Sequence, residues 1–436
     1  MYSGLQDRLA QDGGQNMANV GCLILPSTHK GGPRYMHQLL QDSLAICREY
    51  RKPDLFLTMT ANGAWPEITE NLFPGMSILF LTFYTLCLII INHIGQSAVD
   101  RPDLVTRVFY AKQQALLRMI RDGYYGPVAG FVYTIEYQKH GLPHMHLLVF
   151  LEEGHKINTM EQVDAIISAQ IPDPTIHPQL HQAITKYMLH GPCSPQRCIE
   201  NNVCKKHFPK PFTAQTIIKE DGYPDYARPQ NNRTIQKHQD VFDNRHVVPH
   251  PREILVKFDC HINLEVCGSI KAVKYIHKYI YKGPDRATVQ QEGGDEIRSY
   301  LDARYISSTQ ACHNIFEFAI HMEWPAVYFL PVHLPGEQTI VFSEDDSIHE
   351  LVENPKITQL MGWFEANTKQ NLIDAGAHDY LYQDFPKQFV WDKKNTIWKV
   401  RQRYKAIGRM YAVYPSAGEK FYLRLLLTQI KGKFTF

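Results

Sequence analysis

Two histidines, His144 and His146, alternate with a methionine inside an apolar run that has the composition of a β-strand. Residues i and i+2 of a strand point to the same face, so both imidazoles would project together. Two imidazoles on one face form half of a divalent-metal site, and a neighbouring strand has to supply a further ligand. Glu136, on the strand before the turn, is the best candidate for that ligand, and Gln138 and His140 are alternatives.

A second pattern pairs two tyrosines, Tyr275 and Tyr279, at the i, i+4 spacing that places side chains on one face of a helix. Lys278 and Lys282 form another such pair, rotated by one position. A phenol can attack a phosphodiester when a metal polarises the phosphate and nearby cations hold the strand. The alternative is an amphipathic helix that buries its aromatic residues. Tyr281 is out of phase and is assigned a structural role.

Between these two patterns lies a group of cysteines and histidines: His190, Cys193, Cys198, Cys204 and His207. The run C-x4-C-x5-C-x2-H could hold one structural zinc, although its spacing is not that of a common zinc finger. The alternative is a set of buried, reduced cysteines. Nearby lysines would add a basic patch for DNA phosphates, or are simply solvated: Lys205, Lys206 and Lys210.

The elements that must position these residues follow from hydrophobic periodicity. The sequence predicts helices over 34–50, 104–121 and 269–281, and strands over 54–60, 130–138, 144–151 and 254–258. The second and third strands flank a short glycine-containing turn and predict a hairpin. The fold class is therefore α+β, with an antiparallel sheet flanked by helices.

Composition narrows the class of protein. Of 436 residues, 44% are hydrophobic and 21% are charged, which excludes a disordered or fibrous chain. Lys+Arg 46 against Asp+Glu 44 leaves a net charge of +2, so nucleic acid would have to be bound by local patches. Nine cysteines without a secretory signal predict reduced thiols or metal ligands, and hence a nuclear or cytosolic protein that is not secreted.

One uncharged apolar segment, residues 76–94, complicates this interpretation: MSILFLTFYTLCLIIINHI. As a helix it would extend about 28 Å at ~1.5 Å per residue, close to the ~30 Å hydrocarbon core of a bilayer. However, no Lys or Arg lies between Lys52 and Arg101, so the basic anchor of a cytoplasmic end is missing. The segment is a candidate membrane span on length alone.

The chain resembles the replication-initiator region of Helitron transposases, which are rolling-circle elements with an HUH endonuclease. Two stretches carry the resemblance most strongly: EYQKHGLPHMHLLVFL at 136–151 and VKYIHKYIYKGPDRA at 273–287. Further blocks follow in family order: GGPRYM (31–36), PDLFLTMTANGAWPEI (53–68), DRPDLVTRVF (100–109), HGPC (190–193), CKKHFPKPF (204–212), DARYIS (302–307), LPVHLPG (330–336) and IGRMYAVYPSAGEKFYLRLLL (407–427).

The resemblance implies an HUH-endonuclease-like sheet and a role for each matching residue. His144 and His146 correspond to the metal-binding pair, and Glu136 corresponds to the third ligand. Tyr275 and Tyr279 correspond to the nucleophiles, one of which would remain joined to DNA through a 5′-phosphotyrosine. The implied cofactor is Mg²⁺ or Mn²⁺, with the mixed ligand set favouring Mn²⁺ in vitro, and the implied partner is the single-stranded DNA of transposon ends.

The sequence also departs from the family. No G-x-x-x-x-G-K-[ST] loop is present, so we expect no ATP site and a truncated or degenerate copy that lacks the helicase. Joining Gly75 to Gln96 restores an uninterrupted family block, so residues 76–95 are interpreted as an insertion, and a membrane span as the less favoured alternative. The family activity is DNA cleavage by a tyrosine; an inactive DNA-binding remnant and a single-pass membrane protein are the alternative functions of this copy.

The resemblance also divides the chain. We expect an N-terminal extension (1–33), the first half of the nuclease-like domain (34–155, interrupted by 76–95), a Cys/His-rich insertion (156–250), the second half with the paired tyrosines (251–290), and a C-terminal α+β extension specific to Helitrons (291–436).

Overall fold

A computed structural model describes residues 33–73, 76–80, 89–93, 95–137, 141–196, 198–237, 239–268, 306–338 and 357–432. The α-helices in these ranges are α1 Pro33–Tyr50, α2 Pro66–Thr69, α3 Pro102–Arg121, α4 Met160–Ile166, α5 Pro178–Ala183, α6 Arg252–Phe258, α7 Ser308–Ile315, α8 Gln359–Ala366, α9 Gln370–Ile373 and α10 Glu419–Leu427. The strands are β1 Leu55–Thr60, β2 Met76–Phe80, β3 Ile89–His93, β4 Val128–Tyr137, β5 Pro143–Leu151, β6 Ile199–Glu200, β7 Val203–Cys204, β8 Ile217–Ile218, β9 Pro224–Asp225, β10 Ile235–Lys237, β11 Asp240–Phe242, β12 Ile262–Val266, β13 His321–Trp324, β14 Ala326–Leu330, β15 Phe389–Asp392, β16 Ile397–Val400 and β17 Ala406–Met410.

The central feature is a five-stranded sheet in the order β12-β1-β5-β4-β13. Every neighbouring pair is antiparallel. The predicted hairpin is present as β4 and β5, and β5 occupies the middle of the sheet, where both of its edges are paired. The register places Thr60 and Glu136 on either side of His144. The predicted mixed fold, an antiparallel sheet with helices, is confirmed.

One face of the sheet builds the largest core. Alternate residues of β1 and β5, such as Leu57 and Leu147, are fully buried there. Helix α3 packs onto this face through a stripe that includes Val105, Phe109 and Leu116. Burying a large aliphatic or aromatic side chain contributes about 1.5–3 kcal/mol, so this stripe fixes the helix against the sheet.

Among the residues that the structure describes, helix α1 covers only part of the opposite face. Helix α1 packs against Phe56, Leu148 and Phe150 in a second core. Side chains of β5 alternate between faces, so His144 and His146 lie on this same face, at the N-terminal end of the strand. The sheet therefore presents its two histidines beside, rather than beneath, the helix.

Residues 254–258, which the apolar run predicted as a strand, are helical. They belong to α6, whose buried residues Ile254, Leu255 and Phe258 are spaced i, i+1, i+4. That spacing gives one apolar helix face, and it buries the residues in two different cores. The helix ends at Asp259, which adopts a left-handed conformation with φ of 43°. The strand that borders β1 is the following one, β12.

The described residues of the apolar segment form strands rather than the helix that its length allows. Residues Met76–Phe80 and Ile89–His93 are strands, and they pair antiparallel as a two-stranded ribbon. Isoleucine-rich runs favour strands because β-branched side chains fit a pleated surface. Across the residues with a described structure, no helix has both the length and the apolarity needed to cross a membrane.

The C-terminal residues add a further core that is centred on Trp363, Tyr382 and Phe385. It is bordered by the parallel pair β14 and β17. A buried ion pair, with Arg409 Nε 2.7 Å from Asp42 Oδ1, connects β17 to α1. Burial raises the pKa of Asp42 to about 6 although Arg409 acts in the opposite direction.

Candidate metal and nucleic-acid site

Three predicted ligands converge on the same sheet face as α1, at the N-terminal end of β5. His146 Nε2 lies 3.2 Å from the Glu136 carboxylate, across the β4–β5 hairpin. Glu136 is directly opposite His144 in the register, and its carboxylate reaches diagonally to His146, two residues further along β5. The Phe56 ring stacks on His146, with centroids 5.9 Å apart. One carboxylate and two imidazoles on adjacent strands form a set that can hold a divalent metal.

Two threonines of the neighbouring strand β1 orient the imidazoles. Thr60 Oγ1 lies 2.8 Å from His144 Nδ1, and Thr58 Oγ1 lies 3.1 Å from His146 Nδ1. A hydroxyl can donate or accept, so these contacts are compatible with the tautomer in which Nδ1 carries the proton and Nε2 the lone pair. Hydrogen bonds to the nitrogen opposite the ligating one are the usual support of metal-binding histidines.

The local environment keeps His144 neutral. Burial, together with the nearby His146 and His261, lowers the pKa of His144 to about 4. Burial also lowers the pKa of His261, which precedes β12 on the far side of Thr60. A neutral imidazole is the form that binds metals, so His144 is available as a ligand throughout the neutral pH range.

These groups line a cleft of about 770 Å³ that runs across the sheet face. One wall is the sheet itself, and it includes Asn263 and Glu265 of β12. The other wall comes from residues 204–213, hereafter the wall segment, and from residues 223–228. The cleft thus combines carboxylates, imidazoles, cations and aromatic rings: Glu136, Glu265, His144, His146, Lys206, Lys210, Phe208 and Tyr223.

Four of the five predicted cysteine and histidine ligands come together. The ligand atoms of His190, Cys193, Cys198 and Cys204 all lie within 4.8 Å of one another and could hold a metal such as zinc. The fifth candidate, His207, is exposed and stands outside the group, since its left-handed backbone (φ of 55°) turns the chain immediately after β7. The imidazole ligand of the cluster is therefore the one that precedes the cysteines.

Hydrogen bonds to sulfur favour the thiolate at one of these positions. Burial raises the pKa of Cys204, but hydrogen bonds from the backbone N–H groups of Phe208 and Lys206 lower it, and the net shift is downward. Burial raises the pKa of Cys193 to about 12, with Cys198 and Cys204 adding to the shift. The three sulfur atoms therefore influence one another's protonation, as expected of groups that share one site.

The remaining predicted site residues divide into two groups. Lys206 and Lys210 line the cleft, whereas Lys205 forms a surface ion pair with Glu200 at 2.8 Å. The others lie outside the described residues: Gln138, His140, Tyr275, Lys278, Tyr279, Tyr281 and Lys282.

Several residues that line the cleft were not predicted from the sequence. Thr58 and Thr60 alternate within a strand-like run, and that period-2 pattern already indicates a shared face. His261 and Asn263 show the same alternation, but nothing local connects them to the histidine pair. Phe208 belongs to a loop, and only the folded chain brings it to the cleft.

The fold and the site define an α+β protein with a polar cleft on an antiparallel sheet, lined by histidines and carboxylates. Residues 1–149 match the family model described as the Helitron helicase-like domain at the N-terminus, which confirms the resemblance and indicates a transposon-related protein. The matched range contains Glu136, His144 and His146, and it ends before the cysteine cluster and the paired tyrosines. A comparison with curated proteins gives no match.

Proposed function

We propose that this chain is a metal-dependent endonuclease and strand transferase of the HUH type, acting on single-stranded DNA with Tyr275 or Tyr279 as the nucleophile. The observation that carries the proposal is the convergence of Glu136, His144 and His146 in the cleft, with the Glu136 carboxylate 3.2 Å from His146 Nε2. A transposon-related domain with this activity fits a nuclear or cytosolic location.

The donor set suits the metal that such a reaction needs. His144, His146 and Glu136 would hold Mg²⁺ or Mn²⁺, and the mixed nitrogen and oxygen set favours Mn²⁺ in vitro. Thr58 and Thr60 support this assignment, because their contacts at Nδ1 leave Nε2 as the ligating nitrogen of each ring. When bound, the ion would supply Lewis-acid polarisation of a phosphate oxygen.

The chemical step would transfer a phosphodiester from sugar to tyrosine. The phenol oxygen forms a bond to phosphorus, the bond from phosphorus to the 3′ oxygen breaks, and the departing 3′ oxygen gains the proton that the phenol gives up. The product is a 5′-phosphotyrosine with a free 3′ hydroxyl, so no ATP is consumed. A phenol has a pKa of ~10 and therefore requires activation at neutral pH. Tyr275 and Tyr279 take this role from the family resemblance.

The cleft offers what an extended single strand requires. Bases stack on aromatic rings, and phosphates pair with lysines. Phe208 and Tyr223 supply rings, and Lys206 and Lys210 supply cations beside the metal ligands. Because the chain has a net charge of only +2, this local pairing would provide the attraction for DNA.

The test is the formation of a covalent adduct with labelled single-stranded DNA and Mn²⁺, read on a denaturing gel. We expect an adduct from the wild-type chain, none from the Tyr275→Phe/Tyr279→Phe double variant, and none from His146→Ala. An undiminished adduct from either variant would reject the assignment. Metal-independent DNA binding without any adduct would favour the binding remnant instead.

A further inference from the structure

Two of the cysteines lie at the base of a hairpin of two short strands, β6 and β7: Cys198 immediately precedes β6 and Cys204 ends β7. The hairpin turns at Asn201 and Asn202, which have φ of 50° and 60°. Two successive residues with positive φ are typical of the tight turn that suits a two-residue hairpin loop, and asparagine tolerates this conformation well. The hairpin brings Cys198 close to Cys204, and the Lys205 N–H donates to the Cys198 carbonyl at 2.8 Å.

The geometry of the cluster is close to that of a tetrahedral metal site. His190 Nε2 lies 3.2 Å from Cys204 Sγ, and all four ligand atoms lie within 4.8 Å of one another. Zinc binds sulfur at about 2.3 Å and nitrogen at about 2.0–2.1 Å, which separates the ligand atoms of a tetrahedral site with one nitrogen and three sulfurs by about 3.5–3.8 Å. Three thiolates and one imidazole form a common structural zinc set.

The environment of the cluster also differs from that of three cysteines in the apolar cores. Cys47, Cys260 and Cys267 are buried within apolar cores, where a thiol behaves as a small hydrophobic group. Cys193 and Cys198 are only half-buried and belong to none of these cores. The Lys206 N–H approaches Cys204 Sγ at 3.4 Å, as backbone amides do around metal-bound sulfur.

The cluster is attached to the cleft at two points. His190 lines the cleft while its Nε2 faces Cys204, and Phe208 stacks on the His190 ring with centroids 4.4 Å apart. The wall segment begins at Cys204 and carries Lys206, Phe208 and Lys210 along the cleft. An ion that joins His190 to Cys204 would therefore fix both the base of this wall and the ring on which Phe208 rests.

We propose that His190, Cys193, Cys198 and Cys204 bind one structural Zn²⁺, and that this ion holds the wall segment against the sheet so that Phe208 and Lys206 contact single-stranded DNA. The contact with DNA rests on the proposed function. The zinc site, and the stabilisation of the wall segment by the ion, do not depend on the proposed function.

The zinc is tested by metal analysis of the purified full chain. We expect about one zinc per chain in the wild type and in His146→Ala, and none in Cys198→Ser. Cys312→Ser is the matched control, because Cys312 is likewise half-buried but lies outside the cluster, and it should retain the zinc. An absence of zinc from the wild type, or its retention by Cys198→Ser, would overturn the assignment.

The hold on the wall segment is tested on the wild-type chain, which avoids any failure of a variant to fold. Removing zinc with a chelator should accelerate amide hydrogen exchange across residues 204–213, and adding zinc back should reverse the change. Amide hydrogen exchange that stays unchanged after zinc removal would overturn the proposal that the ion stabilises the wall segment. In the presence of zinc, Phe208→Ala should weaken binding of a fluorescent single-stranded oligonucleotide about 5- to 150-fold, whereas the exposed Lys393→Ala should not.

These readouts separate the two proposals. A zinc-dependent wall without any DNA binding would support the zinc site while rejecting the proposed function. DNA binding that is identical in the wild type and in Phe208→Ala would overturn the role of the wall.

Discussion

Replacing Thr60 with valine should weaken the binding of Mn²⁺ while leaving the fold intact. The change keeps the shape of the side chain and removes the hydroxyl that lies 2.8 Å from His144 Nδ1. The same hydroxyl is 3.5 Å from His261 Nδ1, so its main partner is His144. The substitution thus removes a hydrogen bond to one imidazole without replacing a proposed ligand.

The expected loss of Mn²⁺ affinity follows from two estimates. A neutral hydrogen bond contributes about 0.5–1.5 kcal/mol, which corresponds to about a 2- to 12-fold change in affinity. Loss of the partner of a metal-bound histidine usually costs about 10- to 100-fold in affinity. The two ranges overlap near tenfold, so we expect Thr60→Val to raise the dissociation constant for Mn²⁺ by about that factor.

Titration calorimetry with Mn²⁺ on the wild type and Thr60→Val measures the effect. The control is Thr106→Val, which removes another buried threonine hydroxyl, one that donates to the Pro102 carbonyl at 2.7 Å on α3. It should bind Mn²⁺ as the wild type does. Equal affinity in Thr60→Val and the wild type would refute the argument that β1 orients the metal ligands.

Three further predictions concern charge, pH and packing. Glu136→Gln removes the only carboxylate of the proposed ligand set and should weaken Mn²⁺ binding at least tenfold by calorimetry, with an unchanged urea midpoint; a wild-type affinity would exclude Glu136 as a ligand. Burial lowers the pKa of His250 to about 4, below its unfolded value of ~6.5, so its contribution to stability is complete above pH 6.5 and is lost as the pH falls toward 4. Through His250, the free energy of unfolding measured with urea should fall by about 2 kcal/mol between pH 8 and pH 5. His250→Leu should lack this contribution, and an identical loss in both proteins would contradict its assignment to His250. Leu57→Ala should lower the free energy of unfolding by about 2–5 kcal/mol, because Leu57 is fully buried in the main core; the exposed Val203→Ala is its control, and equal effects would be inconsistent with this core.

The sheet and its histidine pair could be predicted because they depend on local patterns. Alternation within residues 144–151 and the turn before them define a hairpin, and the same alternation places His144 and His146 on one face. Glu136 could be proposed as a ligand because a hairpin fixes which residues of its two strands lie opposite each other. For these residues, the spacing in the sequence therefore suffices to predict which side chains lie close together.

Other elements depended on partners that are distant in the sequence. Residues 254–258 are too short for periodicity to separate a strand from a helix, and the burial of Ile254 and Leu255 in two different cores favours the helix. His207 fits the sequence spacing of a zinc ligand, but the tight β6–β7 hairpin brings the cysteines to His190 instead. Thr60 and His261 became part of the site only through long-range pairing of β1 with its two neighbours.

The central claim is that the cleft supports metal-dependent attack by a paired tyrosine on single-stranded DNA. The most direct measurement is mass spectrometry of the protease-digested covalent adduct, formed with Mn²⁺ and a short oligonucleotide. The account predicts a nucleotide linked through its 5′ phosphate to Tyr275 or Tyr279, and no linked peptide when Mn²⁺ is omitted or when His144 and His146 are replaced by alanine. A nucleotide on any other residue, or a linkage that forms without metal, would contradict it.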